Sequence, residues 1–282
     1  MTLGAATARR LEPIRLHWPS TVSLGLVSGV GIMAFGWPFL VSPDSGLAHG
    51  QDAPWLFGVL LGLLALVVLA EIATGGLDAK TIAVLGVLAA TGGALRVLSA
   101  GTAGLEPVFF LLVLAGRVLG KGMGFVLGVL AIITGAFLTG GVGPWAPFQM
   151  IAAGWVGLGA ALLPRASGRV ELGLLAAYSL VVGLLYGAVM NLWFWPFMGP
   201  TAPPGAGFVP GDGVLDNLHH YVVFYVATSL GWDVPRSILT AALVLVAGRP
   251  ILGTLRRAVR RASFDANVGF TESSKESFKE SR

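Results

Sequence analysis

The sequence predicts an all-α, polytopic transmembrane helical bundle, and three observations carry that prediction. The 282 residues are 55% apolar and only 11% charged, with mean hydropathy +0.81. Soluble domains carry about 25% charged residues. The stretch from Gly122 to Pro164 contains no charged residue at all, so lipid is its natural solvent. Apolar runs of helix length recur along the chain, punctuated by short turn-rich segments. The 41 glycines suit close helix contact and backbone that lines a cavity.

Residues 1–20 form a polar N-terminal segment carrying Arg9, Arg10 and Arg15. A cleaved signal peptide is the competing reading. The apolar run from Val22 to Val41 is too long for a signal core, and it lacks a small-residue cleavage site. Residues 21–80 are expected as a transmembrane hairpin, with spans at 21–41 and 55–73. Further spans follow at 81–98, 107–118, 122–139, 147–163, 171–193 and 236–255. The run from Pro107 to Val118 is too short to cross roughly 30 Å of hydrocarbon alone at about 1.5 Å per residue. It needs continuation through Gly120, snorkelling by Arg117, or burial among its neighbours. Residues 196–234 make a long outer connection, rich in Pro and Gly at first. Within it, 216–231 reads as an interfacial or pocket-covering helix, broken by Gly231-Trp232-Asp233-Val234-Pro235. Residues 263–282 lack the apolar content to order and are expected to be disordered.

With eight spans both termini share one side. That side collects Lys80, Arg117, Lys121, Arg165, Arg169, Arg249 and the Arg256, Arg257, Arg260, Arg261 cluster, besides the N-terminal arginines. The positive-inside rule makes it the cytoplasm. The basic balance therefore reports membrane orientation and not nucleic acid.

Ionisable groups inside spans are costly, which makes each a functional candidate. Arg96 and Glu106 flank the turn-forming 101–104 and are expected to face each other, either as ligand contacts or as a structural ion pair. Trp145 and Gln149 follow the Gly-rich 140–144; Trp145 also fits an interfacial belt. Asn191 and Trp193 end the seventh span on the same side. Polar and aromatic groups converging in an apolar setting from separate elements describe a small-molecule site. Asp233 and Arg236 read as features of a helix N-terminus, with Pro235 in its first turn. Adjacent His219 and His220 do not share a helix face, and with no cysteine no metal site and no cofactor is expected. The chain lacks a P-loop, HExxH and a Ser/His/Asp grouping, so it is not expected to be an enzyme, and partners must supply any ATP hydrolysis. Ala90 and Ala94 have the small-xxx-small spacing of close helix contact.

The segment 94–164, with LAGRVLGKGMGFVLG at 114–128, GGVGPWAPFQM at 140–150 and GWVGLGAALLP at 154–164, resembles the substrate-binding S component of energy-coupling-factor transporters, in an actinobacterial, cobalamin-related group. The resemblance covers about 81–262. It implies a six-helix core preceded by the N-terminal two-helix addition, in the cell membrane. It also implies a vitamin or similar micronutrient, best matched by cobalamin or a related corrinoid, captured at the outer face. Release inward would use a transmembrane coupling subunit and two cytoplasmic ATPases, with Ala90 and Ala94 meeting the coupling subunit. A polytopic membrane enzyme or a stand-alone carrier is the alternative.

Overall fold

A computed structural model describes residues 18–40, 59, 62–64, 79–99 and 104–279, with side chains from 21 to 261 within those ranges except at 79 and 200. The second expected span, 55–73, falls outside them apart from four residues. Among the described residues the chain is helical, without a strand, as the sequence predicts. The helices are α1 (Trp18–Gly36), α2 (Ala79–Leu98), α3 (Val108–Leu119), α4 (Lys121–Thr139), α5 (Ala146–Leu162), α6 (Gly168–Phe194), α7 (Val214–Thr228) and α8 (Leu230–Lys279). Five are long and apolar enough to cross a membrane: α1, α2, α4, α6 and α8, whereas α3 and α5 are shorter.

The short α3 is accommodated by burial. Nine of its twelve residues are buried, and it packs against α4, α5 and α8. Its 12 residues, about 18 Å long, are thus solvated by protein and not by lipid. Gly120 (φ +90°) is the single residue between α3 and α4, in a conformation that favours glycine. Helix backbones approach closely at Gly157 of α5. A Cβ there would strike the backbone of Gly124, and one at Gly116 would strike Gly157. Such contacts substitute for the hydrophobic drive that helices lack in lipid.

The bundle has two polar ends. At one, Arg117 Nε lies 3.0 Å from Glu171 Oε1, and Arg256 donates to the same oxygen at 2.6 Å. Arg117 also donates to the carbonyls of Leu163 and Pro164, both at 2.8 Å. It thereby satisfies two carbonyls just past the C-terminus of α5, where the helix dipole favours a cation. At the other end lie Arg96, Glu106, Gln149 and Arg236. α2, α4 and α6 run toward the Arg96 end, and α3, α5 and α8 run away from it. α1 ends near the Arg96 end, where Trp37 meets Phe197 and Phe208.

Two boundaries depart from the sequence reading. The break falls at Ser229, between α7 and α8, so Gly231 to Pro235 lie inside the first turns of α8. Beyond residue 261 the backbone of α8 continues to Lys279, where a disordered tail is expected from 263. Extending an existing helix avoids the nucleation cost that isolated polar segments meet.

Candidate functional site

The Arg96 end gathers side chains from five elements. Arg96, in the last turn of α2, lays its stem over Gly135 of α4, where a Cβ would stand 2.5 Å from Arg96 Cδ. That passage lets the guanidinium donate to Gln149 Oε1 of α5 at 2.6 Å. The lone amide within an apolar helix therefore has its partner. Among the described residues Arg96 forms no ion pair with a carboxylate.

Arg236 is the centre of the neighbouring cluster. Its side chain is 11% exposed, and its Nε donates to Glu106 Oε2 at 2.6 Å. Its Nη1 pairs with Asp233, one helical turn earlier. The guanidinium carbon sits 5.4 Å from the Phe109 ring centroid and 5.3 Å from that of Tyr186. The two rings stand edge to face, 4.6 Å apart. Two carboxylates and two ring faces around one guanidinium are a strongly favoured cation environment. Tyr186 is buried, in the electrostatic neighbourhood of Arg96, Arg236 and Glu106. The charges of Arg96, Arg236, Glu106 and Asp233 sum to zero. Arg236 takes both carboxylates and leaves Arg96 with a neutral partner.

The expected Arg96–Glu106 pairing is corrected by this geometry. Gly104 (φ +76°) presses against the backbone of Trp232, which carries the loop before α3 to the first turns of α8 and gives Glu106 to Arg236. Asp233 and Arg236 do lie in the first turns of α8, as expected, but they form a buried ion pair there. Both side chains are buried, and the Asp233 carboxylate lodges against Gly187 of α6. Ser237 Oγ packs on Gly183 one turn along; it and Asp233 Oδ2 have no hydrogen-bond partner among the described residues. The sequence placed Arg236 near a helix start, and its depth in the bundle was not legible there.

The other expected site residues occupy the rim. Asn191 is buried and donates to Ser229 Oγ at the α7–α8 junction. Trp145, 38% exposed, donates to the carbonyl of Gly141 at 3.2 Å and stands edge-on to Trp193. Trp193 in turn meets Phe148, the neighbour of Gln149, at 5.8 Å. The two tryptophans therefore meet each other and adjoin the Arg96–Gln149 pair. Ala90 and Ala94 stand exposed on α2, with Ala83 and Gly86 on the same exposed side. His219 is exposed and His220 half-buried. Among the described residues no group of three metal-ligating side chains occurs.

Comparison with known protein families, curated proteins and solved structures finds no match.

A cap covers this end. Asn217 of α7 clamps Val209, accepting from its N–H at 3.0 Å and donating to its carbonyl at 2.8 Å. Trp195 is fully buried and donates to the carbonyl of Ala206 at 2.7 Å. With Tyr221 and Phe224 these residues form a separate small core. Tyr221 and Tyr225 donate to the carbonyls of Ala188 and Leu184 on α6. Burial pushes both phenols above their ordinary range, and the Asp233 carboxylate adds to the effect at Tyr225. Both therefore act as neutral donors. The Pro- and Gly-rich connection is thus stapled by side chains and not by regular structure.

Proposed function

We propose that this protein is the substrate-capture subunit of an energy-coupling-factor type importer, holding a small molecule at the Arg96 end. The supporting observation is the convergence of Arg96, Glu106, Gln149, Tyr186 and Arg236 from five elements beneath an ordered cap. Arg96 and Gln149 are the groups free to turn toward a ligand, since Arg236 is occupied by two acids. Trp145 and Trp193 supply an aromatic wall, and Glu106 and Asn191 border the site. A vitamin-like solute, with a corrinoid first among candidates, suits this mix of apolar and polar groups.

Exposed basic residues gather at the opposite end, including Lys121, Arg165, Arg169, Arg257, Arg260 and Arg261. The positive-inside rule assigns that end and both termini to the cytoplasm of the cell membrane. The exposed small face at Ala90 and Ala94 is the contact for a coupling subunit, which would join two ATPases. An enzymatic role has less support, because both carboxylates of the cluster are taken up by Arg236. A stand-alone carrier would string ionisable groups between the two ends, whereas the described ones cluster toward the ends.

Purification of the full chain from its native membrane in mild detergent tests the proposal. Co-elution of a polytopic membrane protein and two ATP-binding proteins is expected, with loss of these partners on Ala90→Leu or Ala94→Leu. Recovery of the protein without any ATP-binding partner would refute it.

A further inference from the structure

The cap helix α7 has two apolar faces. One, with Tyr221 and Phe224, is buried in the small core beneath it. The other is a stripe at helical spacing, Leu215, Leu218, Val222 and Val226, exposed by 79%, 44%, 50% and 55%. Residues at i, i+3 and i+4 steps share one helix face; this one carries no carboxylate, lysine or arginine, and the exposed His219, four residues after Leu215, flanks it. Asp216, also exposed, lies off the stripe. The chain then enters α8, whose first turns expose Trp232, Val234 and Ile238 within a membrane-crossing segment.

We infer that α7 lies in the membrane interface at the Arg96 end, with this stripe set against lipid acyl chains. The bound surface is therefore the bilayer itself. Three observations select lipid. Six residues after Val226 the chain reaches the exposed Trp232 in the first turn of a span, and indole rings are enriched at membrane interfaces. A helix with one exposed apolar face packs that face roughly 5–10 Å into the headgroup–acyl boundary. Four aliphatic side chains fall far short of the roughly 20–30 residues a side that a stable protein interface uses. The cap is then seated on the bundle through Tyr221 and Tyr225 and on the leaflet through the stripe. Any displacement of the cap moves the stripe relative to the lipid. This inference does not depend on what the site beneath the cap binds.

The natural sequence has no cysteine, so single cysteines can be placed without background. Nitroxide labels at Leu218→Cys, Val222→Cys and Val226→Cys, in full-length protein reconstituted in phosphatidylcholine nanodiscs, test the seating by power saturation. Asp216→Cys serves as the aqueous reference. Val246→Cys, at a residue 83% exposed within α8, serves as the lipid reference. The three stripe labels are expected to favour oxygen over a water-soluble nickel complex, as at position 246, with the preference reversed at 216. Nickel access at all three stripe positions would overturn the inference in favour of water. Low access to both reagents, with spectral broadening that fades on dilution with unlabelled protein, would overturn it in favour of a second copy. Low access to both without broadening would overturn it in favour of another part of the chain.

Discussion

Arg236 Nε lies 2.6 Å from Glu106 Oε2, tying the start of α8 to the entrance of α3 across 130 residues. The pair sits among the helix ends at the Arg96 end, where screening by water is weak and an unpartnered charge is costly.

Removal of the shared cation should therefore be worse than removal of either acid. Arg236→Met strands Glu106 and Asp233, and a loss of about 3–5 kcal/mol is expected. Glu106→Gln should cost less, because its side chain is 28% exposed and Asp233 still pairs with Arg236. Denaturation of the two variants in one detergent checks the order; equal losses would contradict the shared-cation geometry.

Glu171 should behave as a keystone at the opposite end. It is buried and accepts from both Arg117 and Arg256. Glu171→Gln leaves two cations facing a neutral amide, and a loss on the order of 3 kcal/mol is expected. Arg256→Gln should cost less, since its side chain is 34% exposed and Arg117 remains. Thermal melting of both variants tests this ranking.

Backbone contact at Gly157 allows a sharp steric test. Gly157→Ala drives a methyl into the Gly124 backbone, and overpacking of this kind costs about 1–3 kcal/mol. Gly25→Ala on α1 meets nothing within 4 Å, and it should be neutral or gain up to about 1 kcal/mol from helix propensity. Comparable melting shifts in the two would argue against close α4–α5 packing.

The cap should open when its clamp is removed. Asn217→Ala leaves both polar groups of Val209 unpaired, at a cost of about 1–3 kcal/mol. Faster proteolysis within 199–213, with the melting of the bundle little changed, is the expected signature. Unchanged cleavage would show that the clamp does not hold the connection.

Legibility in the sequence differed by type of feature. Helices α1, α2, α4, α5 and α6 follow from apolar runs whose ends are marked by Gly, Pro or charge. The burial of α3 was one of three solutions its length allowed. The Arg96–Glu106 expectation failed because nearness in sequence says little about a loop whose path is set by Gly104 against Trp232. Asp233 and Arg236 read as features of a helix start because of Pro235, and α8 does begin close by, at Leu230; the buried ion pair between them was not legible. Glu171 was overlooked, although it is the lone carboxylate between Glu106 and Asp212 and lies just after Arg165 and Arg169. A single acid among basic residues at a span's end is a readable sign of a charge bridge. Gln149, an amide in an apolar run, has a half-buried partner in Arg96, whose identity needed three-dimensional placement.

The most direct test of the central claim is mass spectrometry of small molecules released from the purified full-length protein, compared between wild type, Arg96→Gln and Gln149→Ala. One compound bound near stoichiometrically to wild type and depleted at least tenfold in both variants, whose melting stays close to wild type, is the predicted result. Equal retention of that compound in all three, or none bound to wild type even when purified from vitamin-replete cells, would contradict a ligand site at the Arg96–Gln149 pair.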